Sequence, residues 1–307
     1  MNFDLIVVGV ISLDTILKVP FLPDKNSECF VSEIIETHGG AGGNVAAYAS
    51  YYGGLNVGMV AGIGNDGIGD ELVQRLELYN VNIDGVLRST DKSSTRIITA
   101  LLEDGSRSYF VSLGAHLSLA DIELPKNYTE AQHIYIAPCS PQIHERFISQ
   151  AVRNNMNVYF NPGSVYIEQA DMSIFNRLLR YTEILFVNKE EALIYSSLSS
   201  ITEAGKYLVN SGPKLVVITG GMDGSLIYSR GSSSPLVAPS FEVYSVNPVG
   251  AGDAFAAGFL SEYFISNDLR LAGTKGSIFG AFSVKQRETR AINPSLNDFQ
   301  KFLEKVR

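Results

Sequence analysis

Ser245-Val-Asn-Pro-Val-Gly-Ala-Gly-Asp-Ala-Phe-Ala-Ala-Gly-Phe-Leu260 is the stretch on which the reading of this chain turns. Val243 to Val246 read as the end of a strand that Pro248 stops. Gly250, Ala251 and Gly252 carry almost no side chain. Asp253 then opens an apolar helical run in which Phe255, Phe259 and Leu260 suit packing. A proline just ahead of a helix is at home, because its missing N–H would find no partner in the first turn. A helix N-terminus leaves backbone N–H groups unpaired and carries partial positive charge, so it draws anions. Three small residues admit a phosphate or developing oxyanion to that backbone, and a carboxylate there can take a proton from an attacking hydroxyl. The competing reading, an aspartate that only caps its helix, is the commonest use of such a residue. The rest of the chain has to decide.

Outward from that stretch, short Ile/Val-rich runs alternate with helical patterns. Strands are expected at Leu5–Val10, Val57–Ala61, Ile134–Ala137, Val158–Phe160, Ile184–Val187, Leu215–Thr219 and Leu226–Tyr228. Helices are expected at Val45–Tyr52, Asp70–Asn80, Ile143–Asn154, Ser173–Tyr181, Lys189–Ser196, Thr202–Ser211, Asp268–Ser283 and Leu296–Lys305. Repeated β-α units with apolar strands call for a doubly wound, mostly parallel sheet with helices on both faces. Two segments break the pattern. Cys29–Ile35 reads as a strand with one face in solvent, and Thr95–Glu103 with Ser106–Leu113 reads as a hairpin turning at Asp104-Gly105. Both belong to a small β appendage, residues 10–36 and 93–113, beside an α/β core of 1–9, 37–92 and 114–307.

With 307 residues, 45% hydrophobic and 18% charged, the chain can bury a large core. Its net charge of −8 and lack of a long basic run argue against nucleic acid or an anionic membrane as partner. Cys29 and Cys139 stand far apart, which excludes a disulfide framework or a cysteine zinc site and fits a reducing cytoplasm. No apolar run reaches the ~18 residues that span a bilayer, and the N-terminus enters directly on Asp4-Leu-Ile-Val-Val8 with no basic leader. A soluble, cytoplasmic protein is expected.

The second glycine stretch, Gly39-Gly-Ala-Gly-Gly-Asn44, reads as a loop entering a helix. It is not the dinucleotide G-x-G-x-x-G, since a candidate strand separates it from Leu5–Val10, and no G-x-x-x-x-G-K-[ST] occurs. It serves either a tight helix–sheet approach or close contact of backbone with a polar ligand. Asn44 can donate to and accept from ligand hydroxyls, and Asp14, beyond the first strand, is an acceptor suited to a pair of sugar hydroxyls or to forming a turn.

Gly39–Asn44 and Asn247-Pro-Val-Gly-Ala-Gly-Asp253 together resemble the two signature regions of the ribokinase-like (PfkB) carbohydrate kinase family. The likeness extends over nearly the whole chain, through Asp14, Gly62-Ile-Gly-Asn-Asp-Gly67, Gly114-Ala115, Asn188-Lys-Glu-Glu191 and Val217-Ile-Thr-Gly-Gly221 with Gly224. The resemblance implies a ribokinase-like fold and a kinase that moves the γ-phosphate of ATP, with Mg2+, to a hydroxymethyl group. In that family's terms Asp253 is the catalytic base and Gly250, Ala251 and Gly252 form the anion hole. Asp14, Gly39, Gly40 and Asn44 bind the acceptor. Asn188, Thr219, Gly221 and Gly224 serve the nucleotide, and Glu191 reaches the metal through water. The β appendage becomes a lid over the acceptor, which in several members also forms a dimer contact. Departures bear on detail. Asn247 stands where the family usually has Asp, which leaves a monovalent-cation site open to question. Pro248 and the Asn161-Pro-Gly163 region resemble archaeal-type nucleoside kinases, and no bulky or basic residue occupies the Gly39–Asn44 loop. A sugar acceptor is the first reading, a nucleoside the alternative.

Two other classes compete with the kinase reading. A non-catalytic sugar- or nucleoside-binding sensor is supported by Asn247 alone, and Asp253 with its glycines opposes it. A dinucleotide oxidoreductase lacks its fingerprint. His38, His116, His133 and His144 show no metal-ligand spacing and read as surface or packing residues. Cys139 reads as buried filler, Asn65-Asp66 as part of a turn, and Arg96 and Arg107 as solvated charge. Tyr109 and Phe110 are the aromatics assigned to an acceptor-facing lid.

Overall fold

In the computed structural model the described residues are 3–104, 106–166, 172–286 and 296–306. Their strands are β1 (Leu5–Val8), β2 (Ser12–Lys18), β3 (Glu33–Gly39), β4 (Val57–Gly64), β5 (Asn82–Ser89), β6 (Arg96–Leu101), β7 (Arg107–Ser112), β8 (His133–Ile136), β9 (Asn157–Phe160), β10 (Thr182–Asn188), β11 (Leu215–Thr219), β12 (Ser225–Ser229) and β13 (Leu236–Ala238). A nine-stranded sheet runs β13-β12-β11-β10-β9-β8-β1-β4-β5. From β11 to β5 every pairing is parallel, and β12 and β13 close one edge antiparallel. The central strands are apolar throughout: all of Leu5–Val8 and all of Val57–Gly64 are buried. That is the pattern expected of strands covered on both faces.

Two hydrophobic clusters sit on opposite sides of this sheet. The helices Ala41–Ala47, Ala251–Ser266 and Leu269–Val284 supply the first. The helices Pro141–Arg153, Lys189–Ser196 and Ile201–Asn210 supply the second. Helix starts follow local chemistry. Ser140 accepts from Ile143 N–H with Pro141 in the first turn, and Asn188 and Glu191 form a capping box. The helix Ala251–Ser266 is buried continuously from Ala254 to Ser261 because it lies between the sheet and Leu269–Val284. Among the described residues no helix is long and apolar enough to cross a membrane.

The second sheet has the order β3-β2-β6-β7, with β2 and β6 parallel and the outer pairs antiparallel. Its polypeptide leaves the core after β1 and again after β5, so it is an insertion at the carboxyl edge of the large sheet. The chain builds outward from β1 through β4 to β5, then returns to β8 on the other side of β1. The direction of winding reverses between β1 and β8, which is where open α/β sheets bind ligands.

Several expectations need correction. Val243–Val246 form no strand; the N–H groups of Val246 and Asn247 both donate to Val284 O, so the segment is tied to a helix end. The strand expected at Cys29–Ile35 lies at Glu33–Gly39, because pairing with β2, not local propensity, sets its register. Gly39–Asn44 is no loop: Gly39 ends a strand, Gly40 caps the helix, and Asn44 lies within it. The segment Gly62–Gly67 is not all turn, since β4 continues to Gly64. The helix from Ala41 ends as a π-turn over Tyr48–Tyr52. The hairpin pairs as read, with Ile97 opposite Val111 and Ile98 opposite Phe110; Gly105 of its turn lies outside the described residues.

Candidate active site

Gly250 adopts φ 81°, a left-handed conformation that favours glycine, and is the N-cap of the helix Ala251–Ser266. Asp253 is therefore the third helical residue and not the N-cap. Pro248 lies two residues before the cap, not at the first helical position, and its carbonyl accepts from Ala251 N–H. Asn247 is buried, and its side-chain oxygen accepts from Val249 N–H at 3.1 Å, shaping the loop into this helix. The half-buried Asp253 carboxylate accepts at Oδ2 from Asn44 Nδ2, 2.9 Å away.

Asn44 comes from the helix Ala41–Ala47. Gly40, at φ 87°, turns the chain from β3 into this helix, and an added Cβ would meet Val10 O at 2.5 Å. Gly42 packs so closely on Gly9 that a Cβ on it would lie 2.7 Å from Gly9 Cα. Gly39 clears the Asp14 carboxylate, because a Cβ there would stand 2.0 Å from Asp14 Oδ2. Asp14 is also held by the buried Ser12, whose hydroxyl donates to Oδ1 at 2.6 Å. Gly39 thus lies against Asp14; the next residue's carbonyl, Gly40 O, accepts from Asn44 N–H at 2.9 Å, and Asn44 bonds Asp253. Sequence reading missed Ser12 and the buried Thr37, which pairs with Asp14 across β2 and β3 on one sheet face. A register for β3 would have exposed Thr37.

The start of Asp253's helix also borders a cleft of about 350 Å³, which Ala251 and Gly252 line and Gly250 and Asp253 do not. Its walls bring together the sequence-predicted Thr219, Gly221, Gly224, Ala251 and Gly252. Its remaining walls are mostly apolar, among them Phe241, Val243 and Phe255. The volume is within the roughly 300–1,000 Å³ of small-molecule sites. Asn188 and Glu191 do not line this cleft, but Asn188 ends β10 directly beside Thr219 of β11.

In the capping box, Asn188 Oδ1 accepts from Glu191 N–H at 2.8 Å and Glu191 Oε2 accepts from Asn188 N–H at 2.9 Å. Burial pushes the Glu191 carboxyl above its ordinary range, opposed by the Asn188 N–H and reinforced by Glu190. Among the described residues no three His, Cys, Asp or Glu side chains cluster as a metal cage. The oxygen donors of Asn188 and Glu191 are of the kind that Mg2+ takes, directly or through its waters.

The residues set aside have ordinary surroundings. Burial holds His144 at about 3 and His116 at about 4, so both are neutral imidazoles in the core. His144 accepts or donates within a cage of Tyr166 and the Ala137–Cys139 backbone. His133 stacks on Phe264, and His38 bonds Glu71 at 2.8 Å. The register separates the lid aromatics: Tyr109 shares the Asp14 face of the second sheet, whereas Phe110 points from the opposite face. Strand alternation forbids both from facing the acceptor.

Fold and site define an α/β protein with a cleft at the carboxyl edge of its sheet and a carboxylate at the adjoining helix start. The chain belongs to the pfkB family of carbohydrate kinases, whose family profile matches residues 2–296. It is an enzyme of that family, a carbohydrate or nucleoside kinase. It is 32% identical over 262 residues to a cytidine kinase of Thermococcus kodakarensis, covering 85% of this chain and 88% of the relative. It is 28% identical over 296 residues to a nucleoside kinase of Methanothermobacter thermautotrophicus, covering 96% and 94%. The fold matches the crystal structure of Methanocaldococcus jannaschii nucleoside kinase with a TM-score of 0.86 over 99% of each chain at 24% identity.

Proposed function

We propose that the protein transfers the γ-phosphate of ATP to the hydroxymethyl group of a nucleoside, with Asp253 as general base. The observation that carries this is the position of Asp253, in the first turn of a helix that borders the cleft and bonded to the helix that follows Gly39-Gly40. In this reading the cleft takes the nucleotide, its base against Phe241, Val243 and Phe255, its phosphates toward the backbone of Gly250, Ala251 and Gly252. Asn188, Thr219, Gly221 and Gly224 border that nucleotide. Asp14, Gly39 and Gly40 hold the acceptor, with Asn44 between them and the base.

The acceptor oxygen bonds to the γ-phosphorus, the bond from that phosphorus to the β–γ bridging oxygen breaks, and the hydroxyl proton passes to Asp253. Mg2+, where bound, neutralises phosphate charge. The chain's own contribution is alignment, charge stabilisation at the helix start and exclusion of water by the lid. A nucleoside is favoured over the free sugar by the names of the two relatives above and by Ala41, which leaves the acceptor side without a bulky or basic side chain. Charge at position 247 is absent, and no monovalent cation is assigned.

The test is ADP release with ATP and Mg2+ across cytidine, adenosine, inosine, ribose and fructose. Nucleosides should turn over well ahead of the free sugars; turnover of ribose alone would return the acceptor to the sugar class. Asp253→Asn should cut turnover about 10²–10⁴-fold while ATP binding, followed by fluorescence titration, stays within a fewfold of the starting protein. Unchanged turnover would remove Asp253 from the base role.

A further inference from the structure

We infer that Asn44 is a positioning residue for Asp253, kept in the core at a cost to stability because its amide orients the carboxylate. This rests on the reading of Asp253 as base and adds a role for the residue beside it. Asn44 is 3% exposed on a helix whose buried neighbours include Gly42, Gly43, Val45, Ala46 and Ala47. Its Nδ2 donates to Asp253 Oδ2 at 2.9 Å. The amide can take no other orientation, since its oxygen against the carboxylate would be repelled and could donate nothing. That orientation leaves Asn44 Oδ1 buried with no hydrogen-bond partner among the described residues. A buried acceptor without a partner destabilises the fold, and an apolar side chain of the same shape would remove that penalty. The position therefore keeps a polar residue that packing alone disfavours, and its one bond goes to the carboxylate. Holding Oδ2 fixes the plane of the Asp253 carboxyl group, and so the line along which it can take the acceptor's proton.

A packing residue and a positioning residue differ in sign when replaced by leucine, which matches asparagine in shape. In Asn44→Leu, kcat with cytidine or ribose should fall about tenfold to hundredfold, as loss of a hydrogen bond to a charged group implies, while Tm stays equal or rises and ATP binding is kept. In Asn44→Asp, two carboxylates within bonding distance share a proton. An acid limb in kcat should then appear between about pH 5 and 7, where the parent protein is flat. A leucine variant whose kcat stays within twofold, or whose Tm drops together with kcat, overturns the inference, as does an aspartate variant with a flat profile. Asp253→Asn measured in parallel separates the two readings. If it is inactive and the Asn44 variants behave like the parent, only the positioning role fails. If it retains turnover, the base assignment fails first.

Discussion

Gly39 is required by a neighbour, not by its own backbone. Its φ is not left-handed, yet an ideal Cβ would lie 2.0 Å from Oδ2 and 2.6 Å from Cγ of Asp14. Relieving such distances means swinging that carboxylate away from the Ser12 hydroxyl that holds its other oxygen. Gly39→Ala should therefore move the Asp14 carboxylate and raise the acceptor's KM about tenfold or more, the loss of one charged hydrogen-bond set, leaving the KM for ATP near its starting value. Initial-rate kinetics with each substrate varied in turn distinguishes this from general damage, which would raise both. The residue types at 14, 39, 44 and 253 were legible in the sequence because each is chemically distinctive at its motif position. Their mutual contacts were not. Nothing in the spacing of residues 44 and 253 announces that one bonds the other, and the partner of Gly39 follows only from the pairing of β3 with β2.

At the scale of elements, the link between core and lid runs through Asp66. It caps the helix Gly67–Leu78 by accepting from Gly69 N–H at 2.8 Å. It also accepts from the Ser94 hydroxyl at 2.6 Å and from Ser94 N–H at 2.8 Å, where the chain enters β6. Burial would raise its pKa, but the bonds from Ser94 and Gly69, with Arg96 nearby, outweigh that and hold it below the ordinary 3.8. A depressed carboxylate contributes stability above its unfolded value and loses it as pH falls through its folded value. Asp66→Asn keeps an oxygen for the cap but sets an amide against Ser94 N–H. It should lower Tm at pH 7 and speed amide exchange at Ser94 and Thr95, and the Tm gap from the parent should stay constant above about pH 5 and close below 3.8. A gap unchanged at pH 3 would show that ionisation of Asp66 is not what the latch uses. Sequence reading took Asn65-Asp66 for a turn because a helix-capping aspartate between glycines looks like one. It missed β5 and β13 for a related reason: both lie toward the sheet edges, mixed in burial, and β5 carries Gly85, so neither shows the apolar run or alternation that marked the central strands. It misread Val243–Val246 because Val243 is apolar in order to line the cleft, not to join a sheet.

For the whole molecule, the two-sheet plan was readable from strand–helix alternation interrupted by a hairpin, but which lid surface faces what depends on register. Asp14, Ile97 and Val111 share one face of the second sheet, while Ile34, Ile98 and Phe110 share the other. The second set is 64%, 39% and 61% exposed, a cluster of large apolar groups on the face away from Asp14. Apolar surface of this kind is favourable to bury against a like surface, and two lids paired through it would make the dimer contact that the family resemblance implies. The isologous symmetry of a two-fold dimer would place Phe110 of each copy in the same interface. Sedimentation equilibrium at micromolar protein should then return twice the 33.4 kDa chain mass, and Phe110→Glu, placing a charge on that face, should return the monomer mass with the fold intact by circular dichroism. Because Phe110 points away from Asp14, the monomeric variant should still bind ATP in the core cleft, and any loss of turnover should fall on the acceptor's KM through a looser lid. A parent protein that sediments as a monomer at these concentrations would leave the exposed cluster without its assigned partner and would retire the paired-lid arrangement.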